Sequence, residues 1–269
     1  MNYQEICEAS RKVVLQAGAF IRAQAGKVEQ QSVEEKSVNQ LVSYVDRQAE
    51  IILVEGLGKL MPNATFLTEE QTVENKQSDL QWIIDPLDGT TNFLYNIPVF
   101  AVSVALQEAG KTVVGIVYEI NRDECFYAWQ GGGAWLNDRA IRVSETQELA
   151  QALVATGFSV DSFGRLSPHL KAVNHFIQNT RGVRRLGSAA TDLAYVACGR
   201  FDLFFEYNLN PWDVAAGVLL VEEAGGVVTD FSGGDNHLYG KEMLAASGVV
   251  HSLAFPVIQK AFYPTMPSM

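Results

Sequence analysis

The chain has 269 residues, 48% of them hydrophobic and 19% charged. That is enough apolar material for one large core or two fused ones, and too little charge for a disordered chain. The formal net charge of −11, with Lys and Arg nowhere gathered into a stripe, argues against a nucleic-acid or membrane partner, and it repels an anionic substrate unless cations are supplied locally. In chain order, residues 2–25 place Ile6, Val13, Ala17, Phe20 and Ile21 on one helical face. The polar stretch 28–40 reads as a strand plus a mobile loop containing Lys36, and 42–60 as a second helix stopped by Pro62. Segments 99–106, 113–119 and 124–128 are short strands separated by turn signals at Gly110-Lys111 and Asn121-Arg122-Asp123, and Gly131-Gly132-Gly133 opens another hairpin. Consecutive short strands with tight turns predict an antiparallel sheet.

After about Ser144 the rhythm becomes α/β. Strands are expected at 152–156, 201–206, 227–230 and 243–246, and helices at 168–179, 189–197, 214–224 and 253–262. No Pro- or Ser-rich linker divides the chain, so we expect two halves, 1–145 and 146–269, sharing one interface in stacked layers. Cys7, Cys125 and Cys198 are odd in number and far apart, with no metal or disulfide spacing, which fits a reducing compartment. Residues 1–11 are polar and charged, unlike a secretory signal. No apolar run approaches the ~20 residues needed to span a bilayer. A cytoplasmic protein is the expectation.

The most informative stretch is Trp82-Ile83-Ile84-Asp85-Pro86-Leu87-Asp88-Gly89-Thr90-Thr91-Asn92-Phe93. An apolar strand is expected to end on Asp85, because Pro86 cannot donate to a ladder. Asp88 follows in a tight turn, so both carboxylates, with the Leu87 carbonyl between them, can face one point. Such hard oxygen ligands suit Mg²⁺ or Mn²⁺. Gly89-Thr90-Thr91 then offers backbone amides at the start of a short helix, an anion cradle. A bare Asp-x-x-Asp-Gly would read as an ordinary turn, but these twelve residues at the end of a buried strand favour phosphoryl chemistry. Glu69-Glu70 ends the run Ala64-Thr65-Phe66-Leu67 and, taken alone, is a solvated turn. In Pro211-Trp212-Asp213-Val214-Ala215-Ala216-Gly217, Asp213 falls in the first turn of a helix whose small residues permit close packing against another element.

These motifs resemble the inositol monophosphatase family of magnesium-dependent, lithium-sensitive phosphatases. Asp-Pro-Leu-Asp-Gly-Thr-Thr-Asn-Phe at 85–93 is similar to its first motif. Pro-Trp-Asp-Val-Ala-Ala-Gly at 211–217, with Glu223-Ala224-Gly225-Gly226 after it, is similar to its second, and Arg184-Arg185-Leu186-Gly187-Ser188-Ala189-Ala190 lies between them. The resemblance covers nearly the whole chain. It implies an αβαβα sandwich of α+β and α/β character, with an N-terminal antiparallel sheet and a mixed C-terminal α/β half, in a homodimer. It implies one Mg²⁺ on Glu69, Asp85 and the Leu87 carbonyl, a second on Asp85, Asp88 and Asp213, and a weaker third leaning on Glu69. Four carboxylates balance two Mg²⁺, and a third ion offsets a dianionic phosphate, which answers the repulsion set by the net charge.

In-line attack by a magnesium-activated water is then expected, without a phospho-enzyme. Glu69 and Thr90 orient the water, Asp46 fixes the Thr90 hydroxyl, and the Gly89 and Thr90 amides hold phosphoryl oxygens. Glu206 matches an acid that bonds a substrate hydroxyl, and Gly187, Ser188 and Ala189 match a stretch beside the substrate; Ser188 also reads as a helix N-cap. Arg184 and Arg185 read equally as substrate contacts, interface residues or structural ion pairs. The four histidines show no ligand spacing and read as surface or packing residues. Gln40 and Ser43 stand where family members often carry Asp and Thr, next to the loop with Lys36. Thr91-Asn92-Phe93 favours a small polyol phosphate such as inositol phosphate over 3′-phosphoadenosine nucleotides, fructose bisphosphate or histidinol phosphate. A partner-binding protein with a vestigial site is the alternative of another class, against which all four metal carboxylates and Thr90 are present.

Overall fold

The computed structural model describes residues 1–28, 34–37, 40–158 and 163–264, and of 35–37 and 40 the backbone alone. The side chains of Lys36 and Gln40 therefore lie outside the described residues. Helix α1 (Tyr3–Gln24) is capped by Asn2, whose side chain accepts the Glu5 amide, and it buries Val13, Val14, Ala17 and Ile21 at helical spacing. A two-stranded ribbon, β1 (Glu34–Ser37) and β2 (Gln40–Val42), leads into α2 (Tyr44–Leu60). Next come β3 (Thr65–Thr68), β4 (Leu80–Asp88), the short α3 (Thr90–Leu94), and strands β5 (Ala101–Glu108), β6 (Lys111–Glu119), β7 (Glu124–Trp129), β8 (Ala134–Leu136) and β9 (Arg139–Ile141). Strands β3 to β9 form a seven-stranded sheet in sequence order.

Beyond a 3₁₀ turn at Leu149–Gln151 lie β10 (Leu153–Thr156), α4 (Leu166–Asn179), β11 (Gly182–Arg184), α5 (Ala189–Ala197), β12 (Leu203–Tyr207), α6 (Pro211–Glu223), β13 (Gly226–Thr229), β14 (Glu242–Ser247) and α7 (Gly248–Phe262). These strands make a mixed five-stranded sheet in the order β11-β10-β12-β14-β13. It is parallel where β10 meets β11 and β12, and antiparallel where β14 meets β12 and β13.

Three apolar clusters stack these parts into five layers. Helices α1 and α2 cover one face of the large sheet through Val14, Leu53, Trp82, Ile84 and Val104. Helices α5 and α6 fill the space between the sheets through Leu193, Leu220, Ile83, Phe126 and Phe204. Helices α4 and α7 cover the far face of the small sheet through Phe176, Ala254 and Phe205. This is the expected αβαβα sandwich. The strands of the large sheet end at Ile141 and those of the small one begin at Leu153, while the middle layer is built by the second half and packs on both.

Three details depart from expectation. The N-terminal sheet is antiparallel except for the parallel pair β3–β4. Pairing of β4 with β5 does not stop at Pro86: it skips Pro86 and Leu87 and resumes at Asp88 opposite Ala101, a bulge that accommodates the residue without an N–H. Strand β11 carries no signal in the sequence, since three residues are too few to show a period.

Candidate active site

Alternation along β4 decides where its acids point. Trp82 and Ile84 face α1 and α2 and Ile83 faces α5 and α6, so period two sends Asp85 toward the middle layer. The neighbouring strand offers Ala101, Ser103 and Ala105 on that same face, and Gly115 follows on β6 opposite Ala105. These small side chains let α6 come close: a methyl group on Gly115 would stand 2.8 Å from the Ala216 carbonyl oxygen. Ser103 donates to the Trp212 carbonyl at 3.1 Å, which fixes the start of α6 one residue before Asp213. The small residues of the second motif thus do what the sequence suggests, with Gly217 lying directly against Leu193 of α5.

The Asp85–Thr90 turn is held by its own atoms. The Leu87 amide donates to Asp85 Oδ1 at 2.9 Å, and Gly89 takes φ +97 at the start of α3, a conformation suited to glycine. The Thr90 hydroxyl lies 2.9 Å from Asp46 Oδ1 and 3.1 Å from the Leu87 carbonyl oxygen. Asp46 Oδ2 in turn accepts the Ser43 amide at 2.9 Å and the Ser43 hydroxyl at 2.8 Å. Ser43, the N-cap of α2, retains the hydroxyl needed for that capping box. Burial raises the Asp46 carboxyl above its ordinary range, opposed by the bonds from Ser43 and Thr90.

Glu69 follows β3, with its amide on the Ile84 carbonyl at 3.2 Å, and its carboxyl hydrogen-bonds Asp85. Asp88 Oδ2 accepts the Ser188 hydroxyl at 2.6 Å and the Ala190 amide at 2.7 Å. Asp213 Oδ2 accepts the Asn210 amide at 2.7 Å in a capping box at the start of α6. Glu69, Asp85, Asp88 and Asp213 therefore meet at one place. Burial first, and then their mutual repulsion, pushes Asp85 and Asp213 well above the usual carboxylate range; Asp88 is raised mainly by burial, with Glu69 adding to it. One buried and three half-buried acids that repel one another form a donor set short of positive charge, which fits divalent cations bound by hard oxygen. Among the described residues no group of three or more His, Cys, Asp or Glu side chains stands in a metal-holding arrangement.

Glu206 sits at the other end of the site. Burial pushes its carboxyl up to about 8, with Asp88 adding to the rise and Arg185 opposing it. The Gly157 backbone lies so close that a methyl group there would meet the carboxylate. Gly187 takes φ +89 and Ala189 is buried at the first turn of α5. Ser188 caps α5 by accepting the Thr191 amide and also orients Asp88, so its hydroxyl is engaged within the protein. Arg184 is exposed and bonds the Val183 carbonyl, whereas Arg185 acts on Asp88, Glu206 and Asp192. His169 is fully buried among aromatic rings, a packing role.

One motif residue takes a role the sequence did not assign it, and two further residues carried no signal. Asn92 donates to the carbonyls of Val99 and Leu186 at 2.7 and 2.8 Å, tying the 186–188 turn to the first motif. Asp192 is 1% exposed, and among the described residues its Oδ1 has no hydrogen-bond partner. Glu50, on α2, is wholly buried beside the Glu69 turn. Asp192 and Glu50 are single polar residues inside helices, where nothing in one sequence separates a buried position from an exposed one.

The chain matches the inositol monophosphatase family over residues 2–263. It is 44% identical to the Nus factor SuhB of Escherichia coli over 214 residues, 79% of this chain and 80% of that one. It is 41% identical to the inositol-1-monophosphatase of Mesorhizobium japonicum over 250 residues, 93% of this chain and 94% of that one. The crystal structure of the extragenic suppressor protein suhB from Bartonella henselae superposes with a TM-score of 0.89 at 39% identity, covering 94% of this chain and 98% of the other. With the motifs, the layers and the carboxylate cluster in agreement, the chain belongs to the inositol monophosphatase family.

Proposed function

We propose that the chain is a magnesium-dependent phosphate monoester hydrolase acting on inositol monophosphate or a closely similar polyol phosphate. The observation that carries this reading is the meeting of Glu69, Asp85, Asp88 and Asp213 beside the Gly89-Thr90 start of α3. Glu69, Asp85 and the Leu87 carbonyl would hold one Mg²⁺, Asp85, Asp88 and Asp213 a second, and Glu69 would take part in a weaker third. Bound there, magnesium supplies charge neutralisation and water activation. Asp46 fixes the Thr90 hydroxyl, whose oxygen and the Glu69 carboxylate orient the attacking water, and Glu69 takes its proton. The Gly89 and Thr90 amides receive phosphoryl oxygens. Glu206 meets a substrate hydroxyl, and burial raises its carboxyl to about 8. Gly187 and Ala189 form the adjoining wall, and Ser188 contributes through Asp88. By the same family resemblance we place the protein in the cytoplasm as a homodimer; among the described residues no helix is long and apolar enough to cross a membrane.

The name of the Escherichia coli relative favours a second reading, in which the protein's main work is on a partner. The two readings separate on phosphate release from inositol 1-phosphate, fructose 1,6-bisphosphate, 3′-phosphoadenosine 5′-phosphate and histidinol phosphate, measured with Mg²⁺, with EDTA, and with Mg²⁺ plus Li⁺. We expect release that needs Mg²⁺, is suppressed by Li⁺ and is fastest on inositol 1-phosphate. Preference for another ester reassigns the substrate; no release from any of them by folded protein favours the partner reading.

A further inference from the structure

Helix α2 delivers two buried carboxylates to the site region, four residues apart and so on one face. The first is Asp46, bonded to Thr90. The second is Glu50, at 0% exposure, and a buried carboxylate must be satisfied by hydrogen bonds or charge. Among the described residues no Lys or Arg pairs with it. Its oxygens instead collect donors from the turn that follows β3. One accepts the Glu70 amide at 2.8 Å, and the other accepts the Thr72 amide and the Thr72 hydroxyl, both at 2.7 Å. Between those donors Gln71 takes φ +52, a left-handed conformation that a non-glycine residue keeps only where its surroundings enforce it. On its other side the turn is tied to β4 by the Glu69 amide.

We propose that Glu50 is a positioning residue for the Glu69 carboxylate, acting through the Glu70 and Thr72 amides to hold the Glu69 turn in the shape that binds magnesium. The inference rests on the function proposed above and deepens it. Charge-assisted bonds to backbone N–H are among the stronger ones, and two of them, with a third from the Thr72 hydroxyl, fix the turn beside a residue whose own carboxyl meets Asp85. A neutral amide in place of Glu50 can keep both Thr72 bonds on its oxygen, but its NH₂ then opposes the Glu70 amide. Glu50→Gln therefore releases the peptide next to Glu69 in particular.

The test titrates Mg²⁺ into wild type, Glu50→Gln and Glu223→Gln by calorimetry, with phosphate release from inositol 1-phosphate followed over the same range. Glu223 makes a chemically matched control: its oxygens accept the Gly131 and Gly133 amides at 2.7 and 2.8 Å, at the opposite end of α6 from Asp213. We expect Glu50→Gln to weaken Mg²⁺ binding about tenfold or more, with turnover at saturating Mg²⁺ within about threefold of wild type, as for changes behind a metal ligand. Glu223→Gln should stay within about twofold on both readings. Wild-type Mg²⁺ affinity in folded Glu50→Gln overturns the proposal, and so does an equal loss in Glu223→Gln. Wild type that binds Mg²⁺ but releases no phosphate sinks the hydrolase reading alone, and the calorimetry still decides for Glu50; wild type that binds no Mg²⁺ overturns both. Should Glu50→Gln not fold, amide exchange on wild type decides: Mg²⁺ must slow exchange at the Glu70 and Thr72 amides, and unchanged rates there contradict the proposal.

Discussion

Asp88 and Asp192 show how differently the protein treats two buried acids. Asp88 Oδ2 takes a hydroxyl and an amide from the start of α5, which leaves its other oxygen for the centre of the site. Asp192, one turn further along α5, has an Oδ1 without a partner among the described residues, and burial, with Glu206 and Asp88 nearby, raises its carboxyl well above its ordinary 3.8. The folded chain thus holds that proton where the unfolded chain has released it, so stability is lost as pH rises above the ordinary value. Asp192→Asn removes this burden and is expected to stabilise the protein by about 1–2 kcal/mol at neutral pH. The gain should grow from pH 5 to pH 8 in urea unfolding with EDTA; a variant less stable than wild type would show that the acid is satisfied. Asp85 and Asp88 stood out in the sequence because they lie three residues apart beside Pro86 and Gly89, a spacing with its own chemistry, whereas Glu69 and Asp213 gained a role only through the family resemblance. Asp192 and Glu50 were not legible, since a lone acid in a helix looks the same whether it faces water or the core.

Helix α6 brings Asp213 to the site only because β5 and β6 present small residues beneath it. Gly115 is the tightest of these, with Ala216 backbone atoms at 2.8 and 3.1 Å from where a side chain would begin. Gly115→Ala must push α6 outward, at a cost of about 1–3 kcal/mol for overpacking, and phosphate release should fall as Asp213 moves with the helix. An unchanged urea midpoint and rate would mean that α6 is free to shift. Elements with a strong period were read correctly: α1, α5 and the strands of the large sheet fall within a few residues of expectation. Helix α7 begins at Gly248, five residues before the expected start, because Gly248-Val249-Val250 carries poor helix formers that only packing on the small sheet makes helical. The parallel pair β3–β4 has no signature in the sequence, because the chain between its strands, residues 69–79, gives no sign of a crossover.

Across the whole molecule, the chain carries a net charge of −11. The far layer holds a pH-sensitive element of its own. His169 packs against Phe158, Phe205, Tyr207 and Phe262, and burial lowers its imidazole from 6.5 to about 4. Below pH 6.5 the unfolded chain takes up a proton that the folded one refuses, so this contribution is intact above 6.5 and is lost as pH falls toward 4. The loss is about 2 kcal/mol at pH 5. His169→Gln should shrink the stability difference between pH 7.5 and pH 5 by that amount in urea unfolding; an identical difference would contradict the assignment. The proposed hydrolysis requires the four carboxylates to act together on a phosphate ester. The most direct measurement is the rate of phosphate release by Asp213→Asn at saturating Mg²⁺, beside wild type and with the fold checked by circular dichroism. A native spectrum with turnover reduced by about a thousandfold or more is the predicted result, and near-normal turnover would contradict it.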